Sequence, residues 1–240
     1  MTDSSDAAGS KVDGQPATTN AEQEQQAEPA VPAPPAVVLE RFANAAELLI
    51  RYAALLAGPG TVRGLLGPRE LPRLWDRHLL NCIAVAELVP TDARVVDIGS
   101  GAGLPGLAIA CVRPDVRVDL VESLLRRTDF LGEAVGALGL VDRVRVIRGR
   151  AEDAAVIGQV GQASVVTARA VAPLDKLVRW AVPLLVPGGS LLALKGDTAE
   201  QELATHQSML RRSRMESAGV MECGVGLVDP PTRVVRLIRR

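Results

Sequence analysis

From about residue 94 onward, short β-branched runs alternate with segments whose apolar positions recur every three to four residues. The runs predict strands over 94–98, 116–121, 143–148, 164–168 and 190–194, with helices over 104–112, 123–138 and 174–185. No helix is predicted between 148 and 164. Such alternation builds a parallel sheet covered on both faces, with right-handed crossovers. A helix over 198–214 follows, and two last runs, 218–224 and 232–238, flank Asp229-Pro230-Pro231 as a closing antiparallel hairpin.

Before the sheet the period is helical throughout. Leu39, Phe42, Leu49, Tyr52 and Leu56 mark an amphipathic helix over 37–56, ended by Gly58-Pro59-Gly60. Trp75, Leu79, Cys82 and Ala86 form one stripe of a second helix over 71–88, with Pro72 tolerated in its first turn. Residues 1–35 have no aromatic residue and no apolar period, which predicts a disordered acidic tail. The expected organisation is therefore a tail (1–35), a helical extension (36–92) and a sheet domain (93–240).

Of the 240 residues, 48% are hydrophobic and 23% charged, enough to bury a full core. No run nears the ~18 apolar residues of a membrane span, and the N-terminus has neither a basic start nor an apolar block. A soluble cytoplasmic protein is expected. Residues 1–40 carry a net charge of −6 against −1 for the whole chain, so residues 41–240 are mildly basic at +5. Arginines cluster at 126–127, 143–150 and 211–240, as a solvated surface or a phosphate-facing patch. Cys82, Cys111 and Cys223 show neither disulfide nor zinc spacing, so no metal is expected.

The candidate chemistry begins where the first strand ends, in Asp97-Ile-Gly-Ser-Gly-Ala-Gly-Leu-Pro-Gly106. Glycines there admit a ligand close to the backbone, and the following helix presents free N–H groups. Gly101, Gly103 and Gly106 fit the dinucleotide fingerprint, whereas the spacing from Asp97 through Gly99, Gly101 and Gly103 is typical of S-adenosylmethionine sites. Ligands of open parallel sheets sit beyond the carboxyl ends of the strands. After the later strands come Glu122, then Arg150-Ala151-Glu152-Asp153, then Arg169, then Lys195-Gly196. Glu122, about 20 residues past the glycines, is placed to accept ribose hydroxyls or to cap a helix. Glu152 and Asp153 suit an adenine amino group or a turn cap. A charge at a buried strand end, as at Arg169 or Lys195, requires a partner, a ligand or solvent. For His78, alone on its helix, a packed structural role is the default reading, and for His206, in a polar helix, a solvated one. No arrangement for nucleophilic hydrolysis is present.

These residues, with Trp75-Asp76-Arg77-His78-Leu79-Leu80, Glu122-Ser-Leu-Leu-Arg-Arg127, Ala168-Arg-Ala170 and Ala193-Leu-Lys-Gly196, occur in an order that resembles the bacterial small-subunit ribosomal RNA guanine-N7 methyltransferases, historically called glucose-inhibited division protein B. The resemblance covers roughly 38–240. It implies a class I S-adenosylmethionine-dependent methyltransferase fold: α/β, Rossmann-like, a mostly parallel seven-stranded sheet with a C-terminal antiparallel hairpin and an N-terminal helical extension. It further implies S-adenosylmethionine as donor and a guanine of 16S rRNA in the small ribosomal subunit as acceptor. By the family's pattern Gly99, Leu104, Ala151, Glu152 and Arg169 contact the donor, and His78 and Lys195 face RNA. Gly101, Gly103 and Glu122 join the donor set from the motif reading, and Arg126 the RNA set from the basic clusters. The family usually has Asp-Ser where this chain has Asn81-Cys82.

Guanine N7 carries a lone pair and no proton, so no catalytic nucleophile or base is expected. Aromatic residues are scarce, which shifts base recognition toward arginine. The chain is expected to act as a monomer. Two alternatives compete: a nicotinamide-dependent oxidoreductase, for which Tyr52 is the only tyrosine and has no Lys four residues on, and a non-catalytic RNA-binding or ribosome-assembly module.

Overall fold

A computed structural model describes residues 31–240, so the expected tail lies outside the described residues except for its last five. The extension comprises α1 (Ala36–Arg41), α2 (Ala46–Leu55) and α3 (Asn81–Ala84), joined by tighter and wider helical turns. The strands are β1 (Arg94–Ile98), β2 (Arg117–Glu122), β3 (Val144–Arg148), β4 (Ala163–Arg169), β5 (Leu185–Leu194), β6 (Met215–Cys223) and β7 (Thr232–Arg239). They form one sheet in the order β3-β2-β1-β4-β5-β7-β6. The first five are parallel, and β7 runs antiparallel to both β5 and β6.

Strand side chains alternate between two apolar layers because successive residues point to opposite faces. Val95, Val118, Leu120 and Val165 pack under the extension, α4 (Gly106–Val112) and α5 (Leu125–Ala137). Val96, Ile98, Val121 and Val166 face the other layer, with α6 (Ala154–Val160), α7 (Leu174–Ala181), α8 (Ala199–Thr205) and α9 (Gln207–Arg212). Leu49, Tyr52, Leu56, Leu74 and Leu79 are fully buried, so the extension shares one continuous core with the sheet.

Five features depart from expectation. The 37–56 helix breaks at Phe42, whose φ of −125° and ψ of 35° leave the helical region while its ring tucks against the core. Gly58-Pro59-Gly60 is absorbed in a wide turn over Leu56–Gly60, which accommodates a proline lacking an N–H. The 71–88 segment is helical but tightens to 3₁₀ geometry over Pro68–Arg73 and Val85–Leu88. The 198–214 helix divides at His206 into α8 and α9, and α6 fills the stretch where no helix was expected. Among the described residues no helix is long and apolar enough to cross a membrane.

Candidate active site

Between β1 and β4 the strand order reverses, and the strand ends there open into a cavity of about 560 Å³. Its floor is the turn after β1. Gly99, Gly101 and Gly103 have φ of 66°, 59° and 97°, in the left-handed region that favours glycine. Their surroundings separate them. A Cβ on Gly101 would have no neighbour closer than 3.9 Å, so that position opens on the cavity. A Cβ on Gly103 would lie 2.7 Å from the Tyr52 hydroxyl and 2.8 Å from Leu107 Cβ, and one on Gly106 would lie 2.7 Å from Asp97 Cβ. These two glycines serve helix–strand packing, and Gly103 is not in the cavity wall.

Glu122 is 3% exposed and lies in the wall. Its Oε2 accepts the Gly101 N–H at 3.0 Å and its Oε1 the Leu124 N–H at 2.9 Å, with Arg127 at 3.5 Å. A carboxylate has about four lone-pair sites, so acceptor capacity remains toward the cavity. Asp97 is fully buried beneath the turn, accepting from Thr167 Oγ1 at 2.7 Å and the Gly106 N–H at 3.1 Å. Burial pushes its pKa up to about 6, against the opposing effect of those hydrogen bonds.

The extension supplies the opposite wall through Leu56, Leu65, Leu66 and His78. Tyr52 is completely buried and donates to Ala102 O at 2.7 Å, tying α2 to the glycine turn. Burial raises its pKa well above 10, which removes it as a titrating group near neutrality. Arg169 leaves the end of β4 and reaches into the extension. It donates to His78 Nδ1 at 2.8 Å and Cys82 Sγ at 3.1 Å, while His78 Nε2 lies 2.8 Å from Glu70 Oε2.

The cavity thus brings together Gly99, Gly101, Leu104, Glu122, Ala151, Glu152, Arg169 and His78. It does not include Gly103, Arg126 or Lys195. Arg126 is exposed on the first turn of α5, whose phase turns Arg127 inward instead. Lys195 donates to Glu202 Oε1 at 3.0 Å and Ala172 O at 3.2 Å, a pair about 15% and 18% exposed, so its ammonium is already partnered. Sequence reasoning did not single out Trp180, Val171, Leu65 or Leu66 as wall residues. Among the described residues Trp180 is the one Phe, Tyr or Trp side chain in that wall, and its place on an amphipathic helix signalled packing alone. Among the described residues no group of three or more His, Cys, Asp or Glu side chains is placed to hold a metal ion.

Known proteins match both sequence and architecture. The family profile described as rRNA small subunit methyltransferase G matches residues 45–227. Relatives named ribosomal RNA small subunit methyltransferase G include that of Salinispora arenicola, 55% identical over 82% of this chain and 83% of its own length, and that of Thermobifida fusca, 56% identical over 82% of each. The Mycolicibacterium gilvum relative is 51% identical over 85% of this chain and 89% of its own length. Among solved structures, Aeropyrum pernix fibrillarin with natively bound S-adenosyl-L-methionine shares the fold, with a TM-score of 0.52 and 18% identity over 66% of this chain and 76% of that one. The Bacillus subtilis tRNA methyltransferase TrmK does so at 0.51 and 18% identity, over 69% and 66%. The class I methyltransferase architecture and the sequence matches agree: this chain belongs to the rRNA small subunit methyltransferase G family.

Proposed function

We propose that this chain transfers the methyl group of S-adenosylmethionine to N7 of a guanine in the 16S RNA of the small ribosomal subunit. The observation that carries the donor assignment is Glu122: a buried carboxylate held by two backbone N–H groups, with spare acceptor capacity beside the open face of Gly101. Its remaining lone pairs can accept from the two hydroxyls of a ribose. Ala151 and Glu152 extend the same wall toward an adenine ring, and Arg169, which has no carboxylate within ion-pair distance among the described residues, suits the donor's carboxylate.

When bound, the donor supplies a methyl group on a sulfonium centre that is already electrophilic. The chain's own residues therefore position and desolvate. Leu56, Leu65 and Leu66 wall the cavity against water, and the glycine turn, pinned by Tyr52, holds a fixed floor. Correct alignment of methyl and N7 can supply an effective molarity on the order of 10⁵–10⁸ M, which suffices without a base because N7 needs no deprotonation. The base must be reached in an unstacked segment of RNA. In this reading the exposed Arg126 meets RNA phosphate, and Trp180 offers an aromatic face to the cavity. Lys195 reaches RNA only by leaving Glu202, so its first role is to hold α8 against the β4–α7 loop. In this reading the chain acts as a monomer on small subunits in the cytoplasm.

The buried Tyr52 is unavailable as a proton donor, and no observation favours the oxidoreductase. The test is to incubate the protein and labelled donor with small subunits from cells lacking the activity, then map the label. Label on one guanine, lost on N7-specific cleavage chemistry, is the expected result. Donor binding with no transfer would favour the non-catalytic module.

A further inference from the structure

We infer that His78 is a positioning residue for the methyl donor: as a neutral ring it holds the Arg169 guanidinium at the wall of the cavity. The inference rests on the donor assignment proposed above.

A guanidinium carries only donors, so at 2.8 Å from Arg169 the Nδ1 atom of His78 must be the acceptor. The ring's proton then sits on Nε2 and points to Glu70 Oε2 at 2.8 Å. Glu70 thereby selects the tautomer, and the tautomer selects the place of Arg169. The remaining partners of Arg169 are weak or neutral: Cys82 Sγ at 3.1 Å, and the carbonyls of Arg77 and His78 at 3.5 Å. An arginine tethered by neutral acceptors keeps its charge available to an anion. A carboxylate in the place of His78 would have consumed it.

Protonation of His78 would turn Nδ1 into a donor facing a cation, and the tether would fail. The surroundings resist that state. Burial lowers the His78 pKa from its ordinary 6.5, Glu70 opposes this, and Arg169 and Arg77 reinforce it. Glu70 itself is held low, first by its hydrogen bond from His78. Asp97 on β1 feels the Arg169 charge and titrates near pH 6, so it adds a pH dependence of its own.

The test uses the full chain and S-adenosylhomocysteine, with dissociation constants measured by calorimetry from pH 5 to 8. The wild type should bind well at pH 8 and progressively less well in acid. His78→Ala should lose about tenfold at pH 8, the equivalent of one charge-assisted hydrogen bond. His78→Asn places an amide oxygen near the position of Nδ1 and cannot titrate, so it should bind within about threefold of wild type at pH 8, with a shallower acid decline. The acid decline that remains in His78→Asn reports groups other than His78, Asp97 among them. Glu70→Ala removes the acceptor that fixes the Nε2–H tautomer while leaving the His78 ring in place, and should weaken binding at pH 8 by about threefold, while thermal melts of each variant separate a lost tether from a misfolded chain. With only two histidines in the chain, ring nitrogen shifts should show His78 in the Nε2–H form. Equal affinity of His78→Ala and wild type overturns the inference, as does an asparagine variant as weak as the alanine one, or an Nδ1–H ring. Failure of the wild type to bind the probe overturns the donor assignment instead.

Discussion

Truncating Glu122 to Ala removes the acceptor of two backbone N–H groups together with the site proposed for the ribose. Donor affinity should fall by roughly 1.5–3 kcal/mol, read as a weaker dissociation constant by calorimetry. The glycines divide differently. Gly103→Ala and Gly106→Ala insert a methyl within 2.8 Å of core atoms, so each should cost about 1–3 kcal/mol of stability in denaturant melts. Gly101→Ala meets no such neighbour, and its smaller cost comes from a φ of 59° and a crowded donor pocket. Asp97 contributes a pH signature. Its folded pKa of about 6 is raised above the unfolded value near 3.8, so its contribution to stability is fully present below pH 3.8 and lost as pH rises through about 6. Asp97→Asn should flatten that part of the stability profile between pH 4 and 7. At this scale the place of Glu122 in the cavity wall was legible in the sequence, because it ends the strand beside the glycine turn. The equal weight given to Gly101 and Gly103 was not sustained, since only packing against Tyr52 tells them apart. The contact of Arg169 with His78 spans 91 residues and leaves no local trace.

The elements show how much depends on contacts remote in sequence. Tyr52 joins α2 to the glycine turn through one hydroxyl. Tyr52→Phe should cost about 0.5–1.5 kcal/mol of stability and weaken donor binding in step, because the turn it steadies is the floor of the cavity. A variant with lower stability and unchanged donor affinity would show that the turn holds its shape without the tether. Lys195 and Glu202 link the end of β5 to α8, and Glu202 also accepts the Leu174 N–H at 2.6 Å. The β-branched runs announced the five parallel strands and the final hairpin, since buried strands leave unbroken apolar sequence. The helix α6 was missed because it has seven residues, a central Gly158 and only Val156 and Val160 buried. The break at His206 escaped notice for a related reason: a polar helix has no strong period to interrupt.

For the molecule as a whole, the sheet order alone places the site, because the reversal between β1 and β4 leaves a crevice that no crossover covers. The extension then closes one side, sharing its core with the sheet rather than forming a separate body. A ligand that binds only this folded state must stabilise it, so S-adenosylhomocysteine should raise the melting temperature with increasing concentration and NAD should not. The central claim is transfer of a methyl group to guanine N7 of 16S RNA, and the most direct measurement is the position of the label after reaction with small subunits from cells lacking the activity. The account predicts one labelled guanine, modified at N7, with transfer lost in Glu122→Ala at donor concentrations that saturate the wild type. Label on another atom or another RNA, or full transfer by Glu122→Ala under those conditions, would contradict it.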